Sequence, residues 1–329
     1  MKILLVTGGA GFIGSNFIRY FLKTCKDVIV VNYDKLTYAG NLNNLSIIDE
    51  DPRYYFVKGD ICDQELVQQV LNEYDPDYII NFAAESHVDR SIDGPTVFAE
   101  TNVLGTLNLL ECARNYWMKD SQAGSRRFVQ ISTDEVYGSI ENDWDCFTEN
   151  SLYLPNSPYS ASKAGADLLA RAFYKTFGFP AIVTRCCNNY GSHQHKEKFI
   201  PTCIIQGLKN KPIPLYGDGT NVREWIHVMD HCAAITHALF YGAPGEIYNI
   251  GSGEELSNLS LARLILENLG KGPELIRKVN DRPGHDKRYA LDSSKAHHDL
   301  KWSCTYQFKQ GIAETVQWYR NNQSWWENC

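Results

Sequence analysis

The 329-residue chain contains no run of about 18 apolar residues, the minimum for a helix that crosses a bilayer. It has no surplus of positive charge either. Asp and Glu number 39 against 32 Lys and Arg, a net charge of −7, so there is no general attraction to a polyanion such as DNA. A small anion can still find a locally positive site on an acidic protein. None of the ten cysteines (25, 62, 112, 146, 186, 187, 203, 232, 304 and 329) forms a C-x-x-C pair, and several sit inside apolar runs. That argues against a metal–thiolate centre and for free thiols in a reducing, cytoplasmic setting. A secretory leader is not expected, because Met1-Lys2-Ile3-Leu4-Leu5-Val6 leads straight into a glycine-rich motif and reads as a first strand. Internal repeats and low-complexity tracts are absent.

What is present is alternation. Residues 2–7, 28–32, 54–57, 78–82 and 127–132 are short apolar runs that read as strands. Helical patterns at about 12–24, 64–74, 98–118 and 158–177 separate them. This order predicts an α/β fold with a Rossmann-type, doubly wound parallel sheet buried on both faces. After Pro180 the pattern loosens, and Gly, Pro and Asn cluster at 187–221 and 242–258. The reading is a Rossmann domain over residues 1–184 and a smaller, irregular substrate domain over 185–329. Segments at about 222–250 return to the first domain, and Ile182–Arg185 and Ile247–Ile250 are candidate extra strands. A last helix is expected at about 307–320.

Gly8, Gly11 and Gly14 lie between the first strand and the first helix. Small residues there let backbone approach a pyrophosphate, and the helix N-terminus offers N–H donors. The strand–turn–helix context separates this from a bare tight turn. The second strand ends in Asp34, whose carboxylate can accept from both ribose hydroxyls and repels a 2′-phosphate. The expected cofactor is therefore NAD, although the neighbouring Lys35 is a cation that a phosphate would tolerate. Asp60 and Ile61 suit the adenine, one polar and one apolar. Phe82-Ala83-Ala84-Glu85-Ser86 ends the fourth strand with small residues that leave room for the cofactor.

Tyr159 and Lys163 are four apart, on one face of a predicted helix, so both point at one ligand. A lysine ammonium and a nicotinium charge favour the phenolate, a base for a sugar hydroxyl. Alone, this spacing is equally a surface tyrosine on a lysine stem. More telling is Ser132-Thr133-Asp134-Glu135, just past a strand and 26 residues before Tyr159 when counted from Thr133. Ligands bind at that carboxyl edge of a parallel sheet. A simple oxidoreductase uses Thr133, Tyr159 and Lys163. Two further carboxylates suit a second pair of proton transfers, one removing a C5 proton and one protonating a departing C6 hydroxyl. Their environments must then separate the two pKa values.

On these motifs the chain resembles the extended short-chain dehydrogenase/reductases and, within them, the dTDP-glucose 4,6-dehydratases. The matching segments are Thr7–Gly14, Asp34–Asn41, Ala83–Ser91, Ser132–Gly138, Pro158–Lys163, Asn188–Gly191 and Asp281–Asp286, which span nearly the whole chain. The resemblance implies conversion of dTDP-glucose to a 4-keto-6-deoxy sugar nucleotide by C4 oxidation, C5/C6 elimination and hydride return to C6, with NAD regenerated in place. It makes Asp134 the acid at C6, Glu135 the base at C5, and Tyr159 the base at the C4 hydroxyl, supported by Lys163 and Thr133. Phe12, Ile13, Asp34, Lys35, Leu36, Thr37, Thr101 and Asn189 match cofactor positions. Ser86, Asn188, Lys198, Phe199, Pro214, Leu215, Tyr216, Arg223, Asn258, Asp281, Arg282, Pro283, Gly284 and His285 match positions that hold the nucleotide-sugar. Arg223 and Lys198 suit a diphosphate, and Tyr216 a pyrimidine.

Related enzymes pair two helices per subunit, so a homodimer is expected through 98–118 and 158–177. One departure stands out: family members commonly follow Asn-Asn-Tyr-Gly with Pro-Tyr, where this chain has Ser192-His193. A changed loop beside the nucleotide pocket leaves dTDP against UDP open. The rival readings are a UDP-glucose or other nucleotide-hexose 4,6-dehydratase, a nucleotide-sugar 4-epimerase, a decarboxylase and a non-catalytic NAD-binding protein. The epimerase needs no acid–base pair, the decarboxylase has no use for Asp134, and the binding protein has none for the intact Thr133, Tyr159 and Lys163.

Overall fold

The computed structural model describes residues 1–118, 125–142 and 145–327. Cys329 therefore lies outside the described residues. Twelve strands are present among them: β1 (Lys2–Thr7), β2 (Val28–Asp34), β3 (Tyr54–Lys58), β4 (Tyr78–Asn81), β5 (Arg127–Thr133), β6 (Ala181–Cys186), β7 (Asn188–Tyr190), β8 (Ile213–Tyr216), β9 (Val222–His227), β10 (Ile247–Ile250), β11 (Glu255–Ser257) and β12 (Ile276–Val279). The helices are α1 (Phe12–Thr24), α2 (Gln64–Tyr74), α3 (Val88–Asp93), α4 (Pro95–Phe98), α5 (Thr106–Trp117), α6 (Pro158–Phe177), α7 (Phe199–Leu208), α8 (Val228–Tyr241), α9 (Asn258–Leu269), α10 (Ser294–Leu300), α11 (Phe308–Asn321) and α12 (Gln323–Glu327).

Seven strands form one parallel sheet in the order β10-β6-β5-β4-β1-β2-β3. Near-continuous apolar strands require cover on both faces. One face packs α2, α5 and α6 through Val67, Leu71, Leu109, Leu110, Ala170 and Phe173. The other packs α1 and α8 through Phe17, Ile18, Phe21, Cys232, Ile235 and Leu239. The strand order reverses between β1 and β4, which opens a crevice at their carboxyl ends.

Of the two candidate extra strands, both join this sheet, as β6 and β10. By contrast β9, within the segment expected to return, lies in a second sheet of order β11-β9-β7, while α8 packs back on α1. A third, two-stranded sheet pairs β12 with β8. Helices α7, α9 and α11 pack together around Ile204, Ile265 and Ile312. Of the helices here that the sequence pattern did not reveal, α7 lies inside the Gly-, Pro- and Asn-rich stretch 187–221, whereas α8 and α9 contain neither Gly nor Pro.

Local chemistry sets the helix that carries the Tyr-x-x-x-Lys pair. Ser157 caps α6 in a reciprocal capping box with Ser160, Pro158 occupies the first turn, and Gly178 ends it at φ 68°. The region expected as one helix at 98–118 is instead α4, a π-helical stretch Ala99–Gly105, and α5. Such widened turns tend to occur at functional sites. Here the stretch carries Thr101 into the crevice, while Asn102 bonds both the N–H and the C=O of Glu85.

Candidate active site

The crevice is a cavity of about 330 Å³ at the carboxyl ends of β1, β4 and β5. The residues read from the sequence as a dinucleotide site converge on it. Gly8, Gly11, Phe12, Ile13, Gly14, Asp34, Lys35, Thr37, Asp60, Ile61, Phe82 to Ser86, Thr101 and Asn189 all line it. Leu36 does not; it holds a left-handed φ of 58°, and its N–H donates to Asp34 Oδ1 at 2.7 Å. Gly8 and Gly14 are sterically required. A Cβ on Gly8, which has φ 70°, would sit 2.6 Å from the backbone nitrogen of Ala83, and one on Gly14 would sit 2.4 Å from the carbonyl oxygen of Gly8. That cradle admits only bare backbone, as a pyrophosphate site needs.

Asp34 is buried between the glycine loop and the segment after β2. The N–H of Ala10 donates to its Oδ2 at 2.8 Å. Burial raises its carboxyl, and the bonds from Leu36 and Ala10 pull it back. Lys35 does not stand free beside it: its ammonium is paired with Asp60 at 2.6 Å. The neighbouring cation is thus already neutralised by a carboxylate, and the acidic character of the ribose end stands.

Thr133, Asp134, Glu135, Tyr159 and Lys163 line the same cavity. Thr133 opens a single 3-10 turn, Asp134–Tyr137, at the end of β5; its hydroxyl accepts from the N–H of Glu135 at 3.3 Å and donates to Asp134 Oδ1 at 3.1 Å. The adjacent carboxylates sit in opposite surroundings. Asp134 is pushed well above the usual carboxylate range by burial, then by Glu135 and Glu224, and its Oδ2 is a buried oxygen without a hydrogen-bond partner. Glu135 is also raised by burial, but Arg282, Arg223 and Lys198 draw it back toward the ionised form.

Tyr159 is raised by burial and by Glu135 and Asp134, with its hydrogen-bonding contact to Thr133 opposing. Lys163 is lowered to about 8 by burial, against the pull of Asp167, and its ammonium donates to the carbonyl of Ile131 at 2.6 Å. The protein's own groups therefore hold the phenol protonated.

The residues matched to the nucleotide-sugar are placed less uniformly. Ser86, Asn188, Lys198 and Phe199 line the cavity, with Lys198 Nζ donating to the carbonyl of Ser86 at 2.7 Å. Arg223 and Arg282 act on Glu135 electrostatically. The Arg223 guanidinium is held by the carbonyls of Val222, Asp286 and Lys287. Tyr216 and Arg282 both reach Asp89 on α3, at 2.9 and 3.3 Å, and His285 pairs with Asp281 at 2.6 Å. Leu215 is buried in β8 and does not line the cavity, and Pro214 faces the opposite, exposed side of the strand. Asn258 begins α9 with its N–H on the carbonyl of Asn221. Pro283 and Gly284 form an exposed turn, with Gly284 at φ 63°.

Asp89 lies in a recognised motif yet carried no assigned role; only its contacts to Tyr216 and Arg282 reveal one. His231, Cys186 and Cys187 also line the cavity and had no sequence signal, since α8 and β6 meet there only through the fold. Ser192-His193 needs correction. It does not border the nucleotide-sugar residues: the carbonyl of Ser192 accepts from Asn16, and the His193 ring contacts Arg19, Trp318 and Trp325. This pair is thus engaged with α1, α11 and α12, while the next residues, Gln194 and His195, line the cavity.

A doubly wound sheet with a glycine cradle, an acidic strand end and a Tyr-x-x-x-Lys pair facing Thr133 defines an extended short-chain dehydrogenase/reductase. The family model described as GDP-mannose 4,6 dehydratase matches residues 5–315, and the chain belongs to that family. It is 50% identical to a dTDP-glucose 4,6-dehydratase of Xanthomonas campestris, over 99% of this chain and 95% of the relative. It is 46% identical to one of Escherichia coli, over 99% and 96%. A crystal structure of a dTDP-glucose 4,6-dehydratase from Streptomyces venezuelae, with NAD and TYD bound, superposes with a TM-score of 0.94 at 51% identity, covering 99% of each chain.

Proposed function

We propose that this chain is an NAD-dependent dTDP-glucose 4,6-dehydratase, a hydro-lyase that forms dTDP-4-keto-6-deoxy-glucose and water. Sequence relatives of that activity at 46–50% identity over nearly the full chain support it, as does the NAD-bound neighbour. The observation that carries the chemistry is the pair of adjacent carboxylates with divergent surroundings, Asp134 among carboxylates and Glu135 among cations. NAD, when bound, accepts hydride from C4 and returns it to C6.

Each proton step falls to a residue of the chain. Tyr159, positioned by Thr133 and Lys163, takes the proton of the C4 hydroxyl. The 4-ketone acidifies C5–H, and Glu135, kept near ionisation by three cations, removes that proton. Asp134, pushed toward the protonated form by burial and its carboxylate neighbours, delivers a proton to the C6 hydroxyl as water departs, and Glu135 gives its proton back to C5 as hydride returns to C6. An epimerase leaves Asp134 and Glu135 without a task. In this reading Gly8 to Gly14, Asp34 and Thr101 hold the cofactor, and Lys198, Arg223, Arg282 and Tyr216 hold the nucleotide diphosphate. Residues 1–184 mainly serve the first and 185–329 the second. Incubation with dTDP-glucose tests the assignment: the alkaline ultraviolet absorbance of a 4-keto-6-deoxy product is expected, and a 4-epimer without that absorbance overturns it.

We also infer a homodimer in the cytoplasm. Val97, Leu104 and Leu168 are exposed apolar side chains on α4, the π-helical stretch and α6, and Leu104 is 56% exposed. Such a face suits a four-helix interface between two copies. The nine described cysteines are free, which fits a reducing compartment. A one-chain mass at micromolar concentration with full activity would rule out the dimer as the working form.

A further inference from the structure

We propose that the C-terminal helices α11 and α12 brace the dinucleotide loop from behind, with Trp325 as the positioning residue, and that this brace sets how long NAD stays bound between turnovers. The inference rests on the assignment of the Gly8–Gly14 loop to NAD. At the centre is Ala10. Its N–H donates to Asp34, and its carbonyl accepts from the N–H of Asn41 at 3.0 Å and from Asn44 Nδ2 at 3.1 Å. That carbonyl shares one planar peptide with the N–H of Gly11, a cavity-lining residue whose N–H donates to the Gly8 carbonyl at 3.3 Å and so closes the loop. Fixing one fixes the direction of the other.

Asn44 is buried on the 3-10 helix Leu42–Ile48, and both ends of its amide are engaged. Its Oδ1 accepts from the Trp325 indole N–H at 2.8 Å, a contact 281 residues away in sequence. Its backbone carbonyl accepts from Arg19 at 3.3 Å. Arg19 in turn reaches Asn16 Oδ1 at 3.2 Å and His193 Nδ1 at 3.1 Å, while Asn16 Nδ2 bonds the carbonyls of Phe12 and Ser192. The His193 ring packs on Trp318 at 4.5 Å, and Trp318 on Trp325 at 5.0 Å. Burial and Arg19 hold His193 neutral, with a pKa of about 3, so the ring accepts from the guanidinium instead of repelling it. Without the indole N–H, a buried amide oxygen loses its partner and the Asn44 amide is free to turn away from Ala10.

Trp325→Phe keeps an aromatic ring and removes the donor. In the holoenzyme, NAD release on dilution should quicken by about 2–12-fold, the range of one hydrogen bond. At saturating NAD, kcat and the KM for dTDP-glucose should be unchanged. Asn44→Ala should also speed release, and adding Trp325→Phe to it should change nothing further. Asp34→Ala is the control for the assignment of the loop. Unchanged release in Trp325→Phe, with release raised in Asp34→Ala, overturns the brace. Equal losses in kcat, KM and NAD retention overturn it too, since they mark general loosening. Release unchanged in both variants means that the loop is not the NAD site, and the proposal falls with it.

Discussion

The two sides of the cleft are built differently. The dinucleotide side is made by segments that follow strands of one sheet: the loop after β1, the acid at the end of β2, Asp60 after β3 and Phe82 after β4. Its fixed points are backbone groups, such as the Gly8 cradle and the N–H groups on Asp34. The side proposed to take the sugar nucleotide is collected from α3, the start of α7, β8, β9 and the turn at 281–285, and its fixed points are charged side chains. Asp89 holds Tyr216 and Arg282, and carbonyls hold Arg223. The first side is a shape that excludes Cβ atoms; the second is a set of cations facing Glu135. Asp134, Glu135 and Tyr159 stand where the two meet.

If that division holds, the chemistry can be cut at the seam. Glu135→Gln removes the group proposed as the C5 base and leaves Tyr159 and Lys163 in place, so C4 oxidation should continue. Elimination should fall by about 10²–10⁴-fold, the usual effect of losing a positioned base. The variant should accumulate absorbance in the reduced-nicotinamide band and lose exchange of solvent deuterium into C5. Dehydration at the wild-type rate would place the base elsewhere.

Asp134→Asn is the next cut, with an expected loss of about 10²-fold or more in water release. Only the leaving-group proton is missing, so C5 exchange should survive better than in Glu135→Gln. Identical behaviour of the two variants would mean that the surroundings of opposite sign do not divide the work.

Legibility followed the same seam. The strands β1 to β5 are visible as near-continuous apolar runs of a sheet covered on both faces, and the helices α1, α2 and α6 as periodicity, because each buries one apolar face. The dinucleotide motif is visible because its requirements are local: no Cβ at Gly8, an acid at a strand end. Asp89, His231 and the Trp325–Asn44 contact are invisible to such a reading, since their partners lie far along the chain. Ser192-His193 misled for the same reason: its neighbours in sequence serve the cleft, but its neighbours in space are Arg19 and Trp318.

A third test concerns pH and bears on the Tyr159–Lys163 pair at the seam. Burial depresses Lys163 to about 8, so its ammonium is present below that pH and lost as pH rises through it. The cation beside Tyr159 disappears with it. C4 oxidation, followed as reduced-nicotinamide formation in single turnovers of Glu135→Gln, should be flat below about pH 8. It should fall by about tenfold per unit above it if only the charged form works. A profile flat to about pH 10 would show that Lys163 keeps its proton and that burial does not govern it.

The smallest effect expected is at Asp60. The Lys35–Asp60 pair is short, but Lys35 is 56% exposed, and exposed pairs are worth at most about 1 kcal/mol. Asp60→Asn releases the ammonium beside the ribose acid, where it would attract a 2′-phosphate. Use of NADP relative to NAD should rise by no more than about fivefold, measured as a ratio of kcat/KM after reconstitution. The ratio matters because any weakening of adenine contacts by the change affects both dinucleotides equally and cancels. Asp34 remains buried and acceptor-only in the variant, so the preference for NAD should shrink without reversing. A reversal would transfer the discrimination from Asp34 to the ion pair, and the dinucleotide side would then depend on a charged side-chain contact as much as the sugar side does.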